Sequence, residues 1–248
     1  ELARARLIER SDELARSNAD LEQFAYVASH DLSEPLRKVA NFCQLLERQY
    51  GDQLDDKAKQ YIDFAVDGAK RMQVLINDLL AFSRVGRSGR EQEPVALGAA
   101  VEAAEISLAG AIERDGAQVL AGELPTVRGD RAQLVSLIQN LIANALKFRG
   151  SEPPVVRIAA ELNDGQWELS CADNGIGIEP DYAERIFLIF QRLHSRDSYD
   201  GSGIGLALCR KIVEYHGGRI WLDNSYAGGA CFRFTLPVME GDSKGDLT

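Results

Sequence analysis

The chain has 248 residues, enough for one large domain or two modest ones, each with its own core. Its composition, 45% apolar and 27% charged, is that of an ordinary soluble protein. The net charge of −10 argues against nucleic-acid binding and against contact with an anionic membrane surface.

Residues 1–86 read as helix. Leu7, Leu14 and Leu21 form a short heptad seam with polar Ser11 and Asn18 between them, which suits a coiled-coil signalling helix over 1–22. From Leu21 an apolar stripe runs through Ala25, Ala28, Leu32, Pro35, Val39, Phe42 and Leu46 in steps of three and four. "RQYGDQLDD" interrupts it, and a second stripe follows with Ala58, Ile62, Ala65, Ala69, Met72, Ile76 and Leu79. These are two helices of a hairpin over 23–86. One hairpin cannot bury both stripes well, whereas two can as a four-helix bundle, so a homodimer is expected.

"RVGRSGREQEP" supplies a glycine-rich, charged linker, assigned to 87–93. The pattern then becomes mixed α/β over 94–240, with helices expected near 97–113, 130–147 and 204–216. Strands are expected near 117–121, 154–162, 166–173, 219–224 and 230–236. The polar tail 241–248 is expected to fray. Cys43, Cys171, Cys209 and Cys231 form no C-x-x-C pair and sit in apolar patterns, as reduced core thiols of a cytoplasmic domain would. No apolar run approaches the roughly 18 residues of a membrane span, and no signal peptide is present. The chain opens at Glu1 already inside a helical pattern, the expectation for a fragment of a longer protein.

His30 lies about 200° around the first hairpin helix from Ala28 and about 160° from Leu32, so it faces away from the bundle core. An exposed histidine usually has no special role. Here Asp31 could hold one ring nitrogen and leave the other free as a nucleophile. Pro35 offers no N–H to the carbonyl of Asp31, which should loosen the helix beside His30.

Three stretches in the second half point to phosphate chemistry. In "RAQLVSLIQNLIANALKFRG", Leu134, Leu137, Ile138, Leu141, Ala145 and Phe148 make a core stripe, bordered by Asn140, Asn144 and Lys147. Asparagine is a poor mid-helix residue. The border either simply faces water or ligates, with asparagine oxygens for Mg²⁺ and the ammonium for phosphate. In "QWELSCADNGIGI", Asp173 shares strand parity with Trp167, Leu169 and Cys171 and should point to the apolar side, where it needs a donor. It either caps its own turn or accepts from an exocyclic amine such as that of adenine. In "GSGIGLALCRKIVEYH", Gly201, Gly203 and Gly205 precede an amphipathic helix whose N-terminus suits an anion. No G-K-[ST] follows and no βαβ unit surrounds these glycines, so neither a Walker loop nor a dinucleotide fingerprint applies.

Together these stretches resemble the sensor histidine kinases of two-component signalling. "ASHDLSEPLR" is similar to that family's phosphoacceptor box, "NLIANALKF" to its N box, "DNGIGI" to its first glycine box, "IFLIFQRLHSR" to its F box and "GSGIGLALCRKIVEYHGG" to its second glycine box. The wording around His30 looks most like kinases that follow PAS, GAF or phytochrome-type sensors. The resemblance implies a dimeric helical phosphotransfer bundle followed by an α/β sandwich that binds ATP, similar to the Hsp90 and gyrase ATPases. It implies His30 as nucleophile, Asp31 as orienting group or general base, Asn144 as the Mg²⁺ ligand and Asn140 as a nucleotide-binding residue. Asp173 would read adenine in a turn shaped by Gly175 and Gly177. Lys147 and Arg192 would face phosphates, and Ser195 to Gly205 would form the ATP lid, Gly201, Ser202, Gly203 and Gly205 contacting nucleotide. The implied partners are a second copy, a response-regulator receiver domain and an upstream sensor module that this chain lacks.

Competing readings are an ATPase of the Hsp90/gyrase type, a dimeric scaffold without catalysis, and a net phosphatase of the regulator. The last hangs on Glu34, because many relatives carry Thr or Asn four residues after the histidine, where it positions water. Glu34→Ala is expected to leave autophosphorylation largely intact and to change the rate of regulator dephosphorylation. Unchanged rates in both assays would make Glu34 a surface charge only.

Overall fold

The computed structural model describes residues 32–86, 92–191, 193 and 201–239, and the chain divides between Arg84 and Val85 into two units. The coiled-coil expectation over 1–22 and the tail 241–248 lie outside the described residues, as do 87–91 of the linker.

In the first unit, residues 32–50 form helix α1, a 3₁₀ turn covers Gly51–Gln53, and α2 spans Asp56–Arg84. Asp55 starts α2, its Oδ1 accepting the N–H of Ala58 at 2.7 Å. Helix α1 runs unbroken through Pro35, and the loosening expected beside His30 and Asp31 falls on residues outside those described.

The half-buried side of α1 is Ser33, Leu36, Ala40 and Cys43, and α2 buries Val66 and Ala69. Gln73 Nε2 donates to Ser33 Oγ at 2.9 Å across the hairpin. The expected core stripe of α1 is not what this contact buries. Leu32, Val39, Phe42 and Leu46 are 48–65% exposed. A helix in a bundle has two neighbours, and α1 turns Ser33, Leu36, Ala40 and Cys43 inward while Leu32, Val39, Phe42 and Leu46 are exposed.

The second unit is a two-layer sandwich. Its strands are β1 (Glu93–Ala96), β2 (Gln118–Ala121), β3 (Thr126–Gly129), β4 (Val155–Asn163), β5 (Gln166–Asp173), β6 (Ile220–Leu222) and β7 (Cys231–Pro237). Its helices are α3 (Leu97–Asp115), α4 (Arg131–Lys147) and α5 (Gly205–Tyr215). Five strands form a sheet ordered β2-β4-β5-β7-β6, with β2 parallel to β4 and the other pairs antiparallel. The three helices pack on one face of this sheet. Helix α4 buries Leu134, Leu137, Ile138, Leu141, Ile142, Ala145 and Leu146, and β5 meets them with Leu169 and Cys171.

Strands β1 and β3 pair with each other as a separate two-stranded sheet and were not expected from the sequence. Each is four residues long, and β1 carries Pro94, so neither shows a readable alternation. Phe148, expected in the core stripe of α4, is instead its C-cap and half-buried. Helical geometry ends at Lys147, so the 3.6-residue period no longer aims the next side chain at the core.

Beyond α5 the chain turns through Gly217, with φ +79°, and Gly218 runs against β7. A Cβ on Gly218 would overlap the carbonyl oxygen of Thr235, a backbone atom held in the sheet. Gly218→Ala is therefore expected to cost about 2–3 kcal/mol through overpacking, read as a lower urea midpoint of the whole chain with unchanged slope.

Candidate functional site

Helix α4 carries the polar border that the sequence marks out. Asp130 starts the helix, its Oδ1 accepting the N–H groups of Ala132 and Gln133 at 2.9 and 3.2 Å. Asn140 Nδ2 donates to the carbonyl of Ser136 at 2.7 Å, and its Oδ1 faces the start of α5. Asn144 follows one turn on, half-buried, with no side-chain hydrogen bond among the described residues. Lys147 lies over the ring of Phe148, Nζ 4.4 Å from its centroid.

The glycines ahead of α5 close on this border. A Cβ on Gly201 would stand 2.7 Å from Lys147 Nζ, and one on Gly205 would stand 2.7 Å from Asn140 Oδ1. Gly203, at φ +73°, lies against the backbone of Phe190 and Gln191, and its carbonyl accepts the N–H of Phe190 at 3.0 Å. Ser202 Oγ accepts the N–H of Ile204 at 3.1 Å, which commits that hydroxyl to the turn entering α5. Helices α4 and α5 run antiparallel, with Cys209 Sγ 3.8 Å from the carbonyl of Leu137 midway along the contact.

Asp173 ends β5 with its carboxylate buried on the core side, as the strand alternation requires. Its Oδ1 accepts the N–H groups of Gly175 at 2.8 Å and Ala230 at 2.9 Å. Oδ2 makes no hydrogen bond among the described residues and is not sealed from the surface. One oxygen thus caps the turn and the other remains available as an acceptor. Burial raises the Asp173 pKa, and the two amides only partly offset it. Hydrogen bonds to a charged group are worth about 1.5–3 kcal/mol each, against several kcal/mol for desolvating a lone carboxylate.

The turn after Asp173 is tied to the end of α4. Ile176 N–H donates to the carbonyl of Phe148 at 3.0 Å, and a Cβ on Gly175 would overlap that same oxygen. Gly177 adopts φ +73° beside the carbonyl of Gly229. Asn174 holds the start of β4 instead, accepting from Val155 N–H at 2.7 Å and donating to the Pro153 carbonyl at 3.0 Å.

Two residues were missed in the sequence. Ala230 supplies an amide to Asp173, and a Cβ on Gly229 would overlap the Asp173 carbonyl. The available signal was the pair Gly228-Gly229 just before a strand, which marks a close backbone approach. Of the other expected site residues, His30, Asp31, Arg192 and residues 195–200 of the lid lie outside the described residues. Glu34 is exposed on α1, with Oε1 2.6 Å from Lys38 Nζ. The structure thus joins Asn140, Lys147, Asp173, Gly175, Gly177, Gly201, Gly203 and Gly205 around the C-terminal half of α4, with Asn144 between Asn140 and Lys147 on that border.

Comparison with known families gives two matches. Residues 20–88 match the His Kinase A (phospho-acceptor) domain, and residues 129–240 match the histidine kinase-, DNA gyrase B- and HSP90-like ATPase. By these domains the chain belongs to the sensor histidine kinases. The chain is 50% identical over 232 residues to Cyanobacterial phytochrome A of Nostoc sp., covering 94% of the chain and 30% of that protein. It is 35% identical over 238 residues to the methanogenesis regulatory histidine kinase FilI of Methanothrix harundinacea, covering 95% of the chain and 27% of that protein. The chain thus spans less than a third of the length of these relatives. Among solved structures, full-length ShkA in complex with AMPPNP superposes with a TM-score of 0.66 at 27% identity, over 87% of this chain and 45% of that one. Among the described residues no helix is long and apolar enough to cross a membrane.

The raised Asp173 pKa sets a sign. Its stabilising contribution is complete below the carboxylate pKa of the unfolded chain and is lost as pH rises through the higher folded value. Asp173→Asn keeps an oxygen for both amides and removes the buried charge. Its urea midpoint at pH 7 is expected to equal or exceed that of the parent, and a lower midpoint would mean that the charge stabilises the fold.

Proposed function

We propose that the chain is the catalytic part of a sensor kinase that phosphorylates its own His30 from ATP and passes the phosphoryl group to an aspartate of a response regulator. The observation that carries this reading is the joint one: "ASHDLSEPLR" in a phospho-acceptor domain, followed by an ATPase domain whose amide–lysine border, buried aspartate and glycines converge.

In the first step the free nitrogen of His30 attacks the γ-phosphorus. A nitrogen–phosphorus bond forms, the bond from γ-phosphorus to the bridging oxygen breaks, and ADP leaves with the electron pair. Asp31 holds the other ring nitrogen and disperses the positive charge that develops on the ring. In the second step the nitrogen–phosphorus bond breaks as a carboxylate oxygen of the regulator takes the phosphoryl group. Such transfers ask mostly for positioning and neutralisation of charge.

The nucleotide half follows from the described residues. Asp173 Oδ2 accepts from the exocyclic amine of adenine, which a guanine carbonyl at that place could not supply. Lys147, with Arg192, neutralises phosphate charge, and the amides at the start of α5 cradle it. Mg²⁺ fits the donor set. Among the described residues no cluster of three His, Cys, Asp or Glu could cage a metal, while the carboxamide oxygens of Asn144 and Asn140 suit a hard cation that keeps its waters and phosphates. When bound, it would offset negative charge on the phosphates.

The exposed side chains Leu32, Val39, Phe42 and Leu46 on α1, with Tyr61, Phe64, Met72 and Val74 on α2, support a homodimeric bundle. The charged, glycine-rich linker suits a catalytic domain that must reach His30 and then yield it to the regulator. An upstream sensor module, of the phytochrome type found in relatives, would supply the input, and ATP as donor puts the reaction in the cytoplasm.

The deciding experiment is incubation with γ-labelled ATP and Mg²⁺, comparing the chain with His30→Gln. Acid-labile, base-stable label on the parent alone is the expected result. Free phosphate without protein label would favour an ATPase, and neither label nor release would favour a scaffold.

A further inference from the structure

His216 is buried, 5% exposed, at the C-cap of α5, and no step above uses it. Its Nε2 lies 3.0 Å from the backbone N of Asp130, and its Nδ1 lies 2.7 Å from the carbonyl oxygen of Ile212. An amide N–H can only donate and a carbonyl can only accept. The ring must therefore be neutral, with its proton on Nδ1 and its lone pair on Nε2. Gly129, just ahead, leaves room for it, since a Cβ there would lie 2.7 Å from both Cδ2 and Nε2.

The place of this bond matters because of what lies at the other end. Helix α4 runs about 15 Å from Asp130 to Asn140, and α5 runs about 16 Å from His216 back to Gly205. The two helices are thus pinned at matched positions: Asp130 with His216, Leu137 with Cys209, Asn140 with Gly205. The middle contact is a weak sulfur one. The polar clamp at the far end and the close approach at the near end set the register of α5 along α4.

We propose that His216 is a positioning residue of the nucleotide site: its neutral, Nδ1-protonated ring clamps α5 to the first turn of α4 and so holds Gly201 against Lys147 and Gly205 against Asn140. The proposal rests on reading that border as the nucleotide site. Gaining a second proton would turn Nε2 into a donor facing the Asp130 donor, breaking the clamp. The groups facing the ring are the Asp130 carboxylate from α4 and, on its own helix, Tyr215, whose ring stands edge-on at 5.2 Å. Burial disfavours the charged ring more than the Ile212 carbonyl and then the Asp130 carboxylate favour it, so the His216 pKa lies below the usual imidazole value. The clamp is complete above that usual value and is lost as pH falls through the lower folded one.

The test has two arms on the whole chain. Nitrogen-15 NMR of the histidine ring reads the tautomer without nucleotide. A lone pair on Nε2 at neutral pH is expected, and an Nε2–H tautomer or a charged ring overturns the clamp. ATP titration across the acid range then compares the parent with His216→Gln, whose Oε1 can replace Nε2 as acceptor, and with His216→Phe, which cannot accept. The Phe variant is expected to lose about tenfold in affinity, the worth of one buried hydrogen bond, and the Gln variant to recover most of it. The parent is expected to lose affinity in acid faster than the Gln variant, in which protonation of ATP acts equally. If Phe binds as the parent does with the same pH profile, the positioning role fails. If Phe does not fold, the Gln comparison and the tautomer decide. If the parent shows the expected tautomer but binds no ATP at any pH, the nucleotide reading fails, and the positioning role fails with it.

Discussion

Everything in the catalytic unit depends on how closely the loop ahead of α5 can approach α4. Lys147 Nζ and Asn140 Oδ1 each stand where a side chain on Gly201 or Gly205 would begin. The third glycine, Gly203, does the same against the backbone of residues 190 and 191. These contacts bring the amides at the start of a helix beside a lysine and two asparagines. The result is a concentration of donors that suits a polyanion. A side chain at Gly203 would meet backbone, whereas one at Gly201 or Gly205 would displace the Lys147 ammonium or the Asn140 carboxamide from where they stand.

The same helix end organises the other half of the site. The carbonyl of Phe148, freed because α4 stops there, accepts from Ile176, and Gly175 lies directly over it. Asp173 is then held from two sides by the amides of Gly175 and Ala230. The fold thus carries a carboxylate whose burial these two amides only partly offset. The outer face of the sheet shows the contrast. There Arg233 pairs with Glu168 and Asp223 at 2.8 and 2.7 Å, charges are matched, and the Asp223 carboxyl pKa is lowered, first by Ser225 and then by Arg233.

The helical unit follows a different logic. Its hairpin closes on Ser33, Ala40 and Ala69 together with Leu36 and Val66, while Leu32, Val39, Phe42 and Leu46 of α1 remain exposed for another surface. A seam rich in small residues lets two helices lie close without burying much area. Most of the hydrophobic driving force is thereby left to a second contact. That division explains why the stripe with the strongest apolar signal in the sequence is the exposed one in a single chain.

Much of this was readable before any coordinates. The 3.6-residue period located all three helices of the catalytic unit, and the two-residue period located the five strands of its main sheet and turned Asp173 inward. Local patterns carry such information because burial of one face is decided by neighbours in the chain. The glycine boxes and the Asn/Lys border were legible for the same reason, as residues that local structure alone would not favour. Tertiary structure alone decided the rest. Strands β1 and β3 are too short to show a period and exist only because they pair across about thirty residues. Ala230 reaches Asp173 from 57 residues away, and His216 reaches Asp130 from 86. No local pattern encodes such partners, since a hydrogen bond between distant segments depends on where the packed layers bring their ends.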